Sequence, residues 1–322
     1  MLTGYRLSVN WVPVIDISNG FESADEIASA ASGVGFFSVV GHGVPIGVID
    51  NAWRSARQFF DLPLVDKLAV AMPTPGYPYG YSPLGGEMLA ASLGQYGLAD
   101  LKESLAIGPV DAAIHPLTDP DEMLAWSPSL WPAALSTLRP AWETYFRAVA
   151  ELSARLLSIM AVALELPADF FEPMINRHTS AMRALNYPGG AQAPNGQFGA
   201  GAHTDYGTLT VLLADPVEAG LQVQDLHGNW QAVAPVAGGL IVNLGDAMAR
   251  WTNDRWRSTM HRVVVPAARR QSIAFFHNAN WDARIACLPS CLGIGELPKY
   301  EPILAGPHLM SKFTSTVVQR GC

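Results

Sequence analysis

Two short pieces of this sequence carry side chains whose types and spacing could do chemistry together. In His203-Thr204-Asp205 the outer two residues would share one face of an extended strand, because side chains alternate with period two. That sets an imidazole beside a carboxylate. Alone, His-x-Asp reads as a pair of surface residues. A third donor, His261, stands in a later run of strand character. Two histidines and one carboxylate on one face of an octahedron leave three positions open, which suits Fe(II) oxygen chemistry; zinc prefers a closed tetrahedron. The second piece is Arg270-Gln271-Ser272, where Arg270 and Ser272 again share a face. A guanidinium forks onto a carboxylate, and a nearby hydroxyl can add a further bond. An inward Arg must be paired, since an unpaired buried charge is costly. Without other context, Arg270 also reads as half of a structural salt bridge.

The elements that would position these residues change character along the chain. Val12-Pro13-Val14-Ile15-Asp16 and Gly35 to Val40 read as short strands. Ser23 to Ala31 reads as a helix, with Ser23 and Glu26 at capping-box spacing. Pro45 to Phe60 reads as a second helix, and Pro140 to Leu166, with apolar residues at helical spacing, as the longest. Between them, Gly76 to Gly97 is rich in Gly, Pro, Tyr and Ser and reads as a long loop or lid. Beyond the long helix come short β-rich runs: Leu209 to Leu213, Leu221 to Gln224, Trp230 to Val233, Leu240 to Leu244, His261 to Val265 and Ser272 to His277. Such spacing without helices between predicts a sandwich or barrel. The expected fold is α+β: a double-stranded β-helix, or jelly roll, core flanked by helices, with an N-terminal α/β extension.

Bulk composition narrows the function. The 322 residues are 49% hydrophobic and 15% charged, which is a globular composition. A net charge of -8 without a Lys/Arg cluster argues against nucleic acid and anionic membranes, which both demand a concentrated positive field. No apolar run is long enough to span a bilayer, and Met1 to Val14 does not read as a signal peptide. Cytoplasmic localisation is the default expectation, and a small molecule is the expected substrate. The three cysteines, Cys287, Cys291 and Cys322, do not suggest a disulfide framework. Cys287 and Cys291 read as free thiols more readily than as half of a metal site.

Taken in order, several segments resemble the isopenicillin N synthase-like branch of the Fe(II)- and 2-oxoglutarate-dependent dioxygenases, over nearly the whole chain. At the N-terminus these are Val12 to Asp16, Gly35 to Pro45, and Phe59-Phe60-Asp61-Leu62-Pro63 with Lys67. Further on they are Ala202 to Gly207, Gly220-Leu221-Gln222-Val223, Val242 to Asp246, Ser258 to Val263 and Arg270-Gln271-Ser272. The resemblance implies an N-terminal dioxygenase region over residues 1–120 and an oxygenase core over 121–322. It implies iron on His203, Asp205 and His261, with 2-oxoglutarate chelating it through the keto oxygen and one carboxylate. The far carboxylate would pair with Arg270 and Ser272, and Tyr187, before Pro188, would add a hydrogen bond. Where the family often places Asn, two residues before that Tyr, this chain has Leu185, with Asn186 next along. Dioxygen is the oxidant, succinate and CO2 are released, and the substrate is hydroxylated, desaturated or cyclised, as in specialised metabolism. The competing readings are a 2-oxoglutarate-independent oxidase or synthase of the same family, and a jelly-roll binding protein without catalysis. A zinc hydrolase on the same three side chains would need a general base, which the sequence does not offer.

The remaining residues have weaker claims. His42 reads as a structural histidine, His227 as an exposed turn residue, and Asn243 and Asp246 as fixing the turn after their strand. His277 could reach the pocket. Tyr77, Tyr79, Tyr81 and Tyr96 could line a lid. Arg183 shares the parity of Leu185 and Tyr187, so it could point inward and bind an acidic substrate group.

Overall fold

The computed structural model describes residues 11–74, 76–94, 98–190, 196–217 and 219–316. Its strands are β1 (Val14–Asp16), β2 (Phe36–Val40), β3 (Gly80–Ser82), β4 (Glu103–Ile107), β5 (Ala181–Tyr187), β6 (Ala200–His203) and β7 (Leu209–Ala214). They continue with β8 (Leu221–Gln224), β9 (Trp230–Ala232), β10 (Leu240–Leu244), β11 (His261–Val263), β12 (Arg270–His277), β13 (Arg284–Ile285) and β14 (Ile303–Leu304). The helices are α1 (Ala24–Ser32), α2 (Ile46–Phe60), α3 (Leu64–Leu68), α4 (Pro120–Ala125), α5 (Leu138–Ala163), α6 (Glu172–Ile175), α7 (Asp246–Trp251) and α8 (Ala305–Thr316).

Eight strands form the major sheet in the order β1-β2-β10-β7-β12-β5-β4-β3, and four form a minor sheet in the order β6-β11-β8-β9. All these pairings are antiparallel except β1 with β2. A large mixed sheet with a smaller partner sheet and helices packed outside agrees with a jelly-roll core. Strands from the first part of the chain form both edges of the major sheet.

Alternation along the strands decides what lies on each face. Met182, Ala184, Leu209, Val211, Leu240, Val242, Ile273 and Phe275 pack with α5 in the main core, around Trp142, Phe146, Val149, Leu152 and Leu156. On the opposite face, Leu185, Tyr187 and Ala274 pack against Ala200 and Val263 of the minor sheet. The chamber between the sheets is therefore lined by Arg183, Leu185 and Tyr187 from β5 and by Arg270, Ser272 and Ala274 from β12. Those two strands run in register, Arg270 opposite Tyr187 and Ser272 opposite Leu185.

Two expectations are corrected locally. Ser23 ends a 3-10 turn over Gly20–Ser23, and its hydroxyl donates to the Gly20 carbonyl at 2.7 Å, so the capping box with Glu26 does not form. The long helix starts at Leu138, before Pro140; a proline in the first turn is tolerated because its missing N–H would have no partner there.

Candidate metal centre

His203 ends β6 and His261 begins β11, and the two are directly opposed in the antiparallel register. That pairing brings their rings to 4.3 Å between centroids. Asp205 is not on the strand: the chain leaves β6 at His203, so shared strand parity is not what aims its carboxylate. A turn does so instead. The Asp205 carbonyl accepts the Asp246 N–H at 2.8 Å, and the Thr208 carbonyl accepts the Gly245 N–H at 3.0 Å. A Cβ on Gly245 would fall 2.2 Å from the Gly207 carbonyl oxygen, so only glycine permits this approach. Asp205 Oδ1 then stands 3.9 Å from His203 Nε2 and 3.7 Å from His261 Nε2. One donor atom from each of the three residues lies within 4.8 Å of the others, a spacing able to hold a metal ion.

Neighbouring groups fix the ligand forms. His203 Nδ1 lies 2.7 Å from the Gly201 carbonyl and His261 Nδ1 lies 3.0 Å from the Thr259 carbonyl. A carbonyl can only accept, so the proton belongs on Nδ1 and each Nε2 keeps its lone pair for a metal. Asp205 Oδ2 accepts from Thr210 Oγ1 at 2.5 Å and from Asn243 Nδ2 at 2.7 Å, leaving Oδ1 toward the imidazoles. Burial, then the neighbouring His261, pushes the His203 imidazole below its ordinary value, so it is neutral. Burial pushes the Asp205 carboxyl up, but the two histidines with Asn243 and Thr210 outweigh it and hold the group ionised.

Arg270 is 2% exposed and stacks on the Tyr187 ring, 5.0 Å from its centroid. Its Nη1 donates to Ser272 Oγ at 3.4 Å, and its Nε has no partner. Among the described residues no carboxylate pairs with it, so the salt-bridge reading fails. A buried guanidinium without an acid is costly and fits a carboxylate arriving from a ligand. Gly199 lets β6 cross Tyr187 closely, since a Cβ there would meet the ring at 2.9 Å. The donor set and this orphaned cation both fit a divalent iron with a dicarboxylate co-substrate.

Other expected residues fall elsewhere. His277 has the opposite parity to Arg270 and lies under α5, with Nδ1 2.7 Å from Thr208 Oγ1 and its ring 5.2 Å from His178, so it does not reach the chamber. Tyr77, Tyr79 and Tyr81 do not form a lid: their hydroxyls donate to Pro128 O, Ala125 O and Glu103 Oε2. Tyr96 lies outside the described residues. Asn186 faces away from Tyr187's side, donating to Glu103 and accepting from Arg269. His42 is structural, Nδ1 accepting from the Val44 N–H. Asp246 accepts from Ser258 and stays at its turn. Cys287 and Cys291 are free thiols. Arg183 does face inward but is already paired with Glu87. Sequence reasoning missed Thr210 and Asn243 as holders of Asp205. For Asn243 a signal existed: it is a polar residue in the otherwise apolar run Leu-Ile-Val-Asn-Leu, all of it buried.

Comparisons with known proteins point to the same iron and 2-oxoglutarate chemistry. Residues 172–279 match the family model of the 2OG-Fe(II) oxygenase superfamily, and residues 12–134 match that of the non-haem dioxygenase in morphine synthesis N-terminal region. The chain is 39% identical over 277 residues to the 2-oxoglutarate-Fe(II) type oxidoreductase hxnY of Emericella nidulans, covering 84% of this chain and 77% of that one. It is 31% identical to a homoarginine-6-hydroxylase of Arabidopsis thaliana, covering 94% and 96%. A full-length Neurospora crassa protein crystallised with alpha-KG superposes with a TM-score of 0.82 at 29% identity, covering 94% and 96%. The chain belongs to the 2OG-Fe(II) oxygenase superfamily and is an Fe(II)- and 2-oxoglutarate-dependent dioxygenase.

Proposed function

We propose that His203, Asp205 and His261 hold the iron, that Arg270, Ser272 and Tyr187 hold the far carboxylate of 2-oxoglutarate, and that the substrate is a small molecule of specialised metabolism. The observation that carries this reading is Arg270, a buried cation with an unused Nε on the major-sheet face that packs against the minor sheet bearing His203 and His261. When bound, iron and 2-oxoglutarate supply the oxidising power, with dioxygen consumed and succinate and CO2 released. The chain's own residues position and exclude. Asn243 and Thr210 hold one Asp205 oxygen so that the other points at the metal position. Tyr187 gives Arg270 a flat face to rest on and Ser272 sets its angle, so the guanidinium is already aimed when the co-substrate enters. Leu185, Ala274 and Val263 keep the chamber wall apolar, which limits water around the reacting groups.

Residues 1–120 are read as the N-terminal α/β extension and 121–322 as the oxygenase core, supported by β1 and β2 closing one end of the major sheet and β4 and β3 the other. The small-molecule reading is supported by relatives named as hydroxylases of proline and homoarginine. The test is succinate release by the Fe(II)-loaded protein with 2-oxoglutarate, compared with Arg270→Gln. The reading requires wild type to release succinate and Arg270→Gln to need at least about tenfold more 2-oxoglutarate. Equal 2-oxoglutarate dependence in both proteins would remove Arg270 from the role.

A further inference from the structure

The same chamber holds a second set of charges that co-substrate binding does not use. Arg183 lies on β5 with the parity of Leu185 and Tyr187 and opposite Ala274 of β12. Its Nη1 donates to both oxygens of Glu87, at 3.0 and 2.9 Å. Glu87 also accepts from Ser104 Oγ at 3.3 Å and lies 3.3 Å from Lys102 Nζ. Lys102, with a side chain 1% exposed, donates to Asp100 at 2.6 Å. The other Asp100 oxygen accepts the Gly201 N–H at 2.9 Å, two residues before His203. Two cations and two anions thus form one neutral quartet that ties β5 and β4 to the strand bearing the first metal ligand.

The hydrogen-bonding capacity within the quartet is uneven. A carboxylate offers about four lone-pair sites, and Glu87 fills them with two contacts from Arg183 and one each from Ser104 and Lys102. Arg183 keeps Nε and Nη2 without partners among the described residues, and its side chain retains 22% exposure. With part of the side chain still exposed, these donors can take a further acceptor. A carboxylate arriving there would bring an unbalanced charge into partly dry space, at high cost. A carbonyl needs only the N–H groups.

Resting on the chamber assignment above, we propose that Arg183 binds the substrate's polar group, and that Glu87 sets it to prefer a neutral acceptor such as an amide, lactam or ring carbonyl over a carboxylate. The sequence suggested an acidic substrate group for Arg183; its pairing with Glu87 is what favours a neutral one. Glu87 is a positioning residue, and Arg183 touches the substrate.

The test uses matched probes on the anaerobic Fe(II) and 2-oxoglutarate-loaded protein: nicotinamide with nicotinate, benzamide with benzoate, and cyclohexanecarboxamide with cyclohexanecarboxylate. Each is titrated while the visible band of the chelated keto acid is followed. In wild type the amides should perturb the band at about tenfold lower concentration than their acids. Glu87→Gln keeps the shape and removes the negative charge, so the acids should become preferred; Arg183→Gln should lose both responses. The proposal is overturned if wild type responds to the acids equally or better, if Glu87→Gln keeps the wild-type ranking, or if no pair is discriminated. The starting band checks folding and loading in each protein. Its absence from wild type would sink the functional reading, whereas its presence with the wrong ranking sinks this inference alone.

Discussion

In the proposed iron site Asp205 is an oriented ligand because two neighbours occupy its spare oxygen. Asn243→Leu removes one of these bonds and leaves the carboxylate less constrained, within the same apolar strand. The expected effect is a loss of iron affinity of roughly 10- to 100-fold, the size usual for groups that orient a ligand, read by competition with a chelator. An unchanged affinity would mean that Thr210 alone suffices. Arg270 yields a prediction of opposite sign for stability and binding. Arg270→Met replaces an orphaned buried cation by an apolar chain of similar length. The apoprotein should unfold at equal or higher urea, since replacing buried charges by well-packed apolar groups is often neutral or stabilising, while 2-oxoglutarate binding is lost. A clear drop in apoprotein stability would show that Arg270 has a structural partner.

At the scale of elements, α5 closes the helix side of the major sheet and so holds the chamber strands in register. Phe146 stacks edge-on with Phe275 at 4.9 Å, directly behind the chamber face of β12. Phe146→Ala should cost about 3–5 kcal/mol, the range for emptying a buried aromatic position, measured by urea unfolding; a cost below about 1 kcal/mol would mean that α5 packs loosely. These elements were largely legible in the sequence. Leu221–Gln224 and Leu240–Leu244 form where their apolar runs stand between turn residues, and Arg270 shares a face with Ser272 because both sit on β12. His277 could have been placed from the same parity, which sends it to the α5 side. Less was legible where geometry depends on contacts distant in sequence. Asp205 is aimed by a turn docked on Gly245, and the tyrosines of the 77–81 segment are drawn away by carbonyls and Glu103. The partners of Arg183 come from residues 87, 100 and 102, whose meeting no local pattern announces.

Across the whole molecule, the quartet joins segments far apart in the chain, and this gives stability a pH dependence. Burial pushes the Glu87 carboxyl up, but Arg183 and Lys102 outweigh it and hold it at about 2, against an ordinary value of 4.5. A depressed carboxyl contributes stability that is present above its unfolded value and lost as pH falls through the folded one. The stability difference between wild type and Glu87→Gln should therefore be full at pH 6 and shrink between about pH 4.5 and 2, as measured by urea unfolding at each pH. A constant difference would contradict the pairing. In the proposed centre the three ligands and Arg270 together receive iron and its keto-acid co-substrate. The most direct measurement is an anaerobic titration of the apoprotein with Fe(II) and then 2-oxoglutarate, following the visible charge-transfer band of the chelated keto acid. The band should form in wild type, be absent in His203→Ala, and need far more 2-oxoglutarate in Arg270→Gln. Iron binding without a band in wild type would contradict this assignment and favour an oxidase or synthase that uses no 2-oxoglutarate.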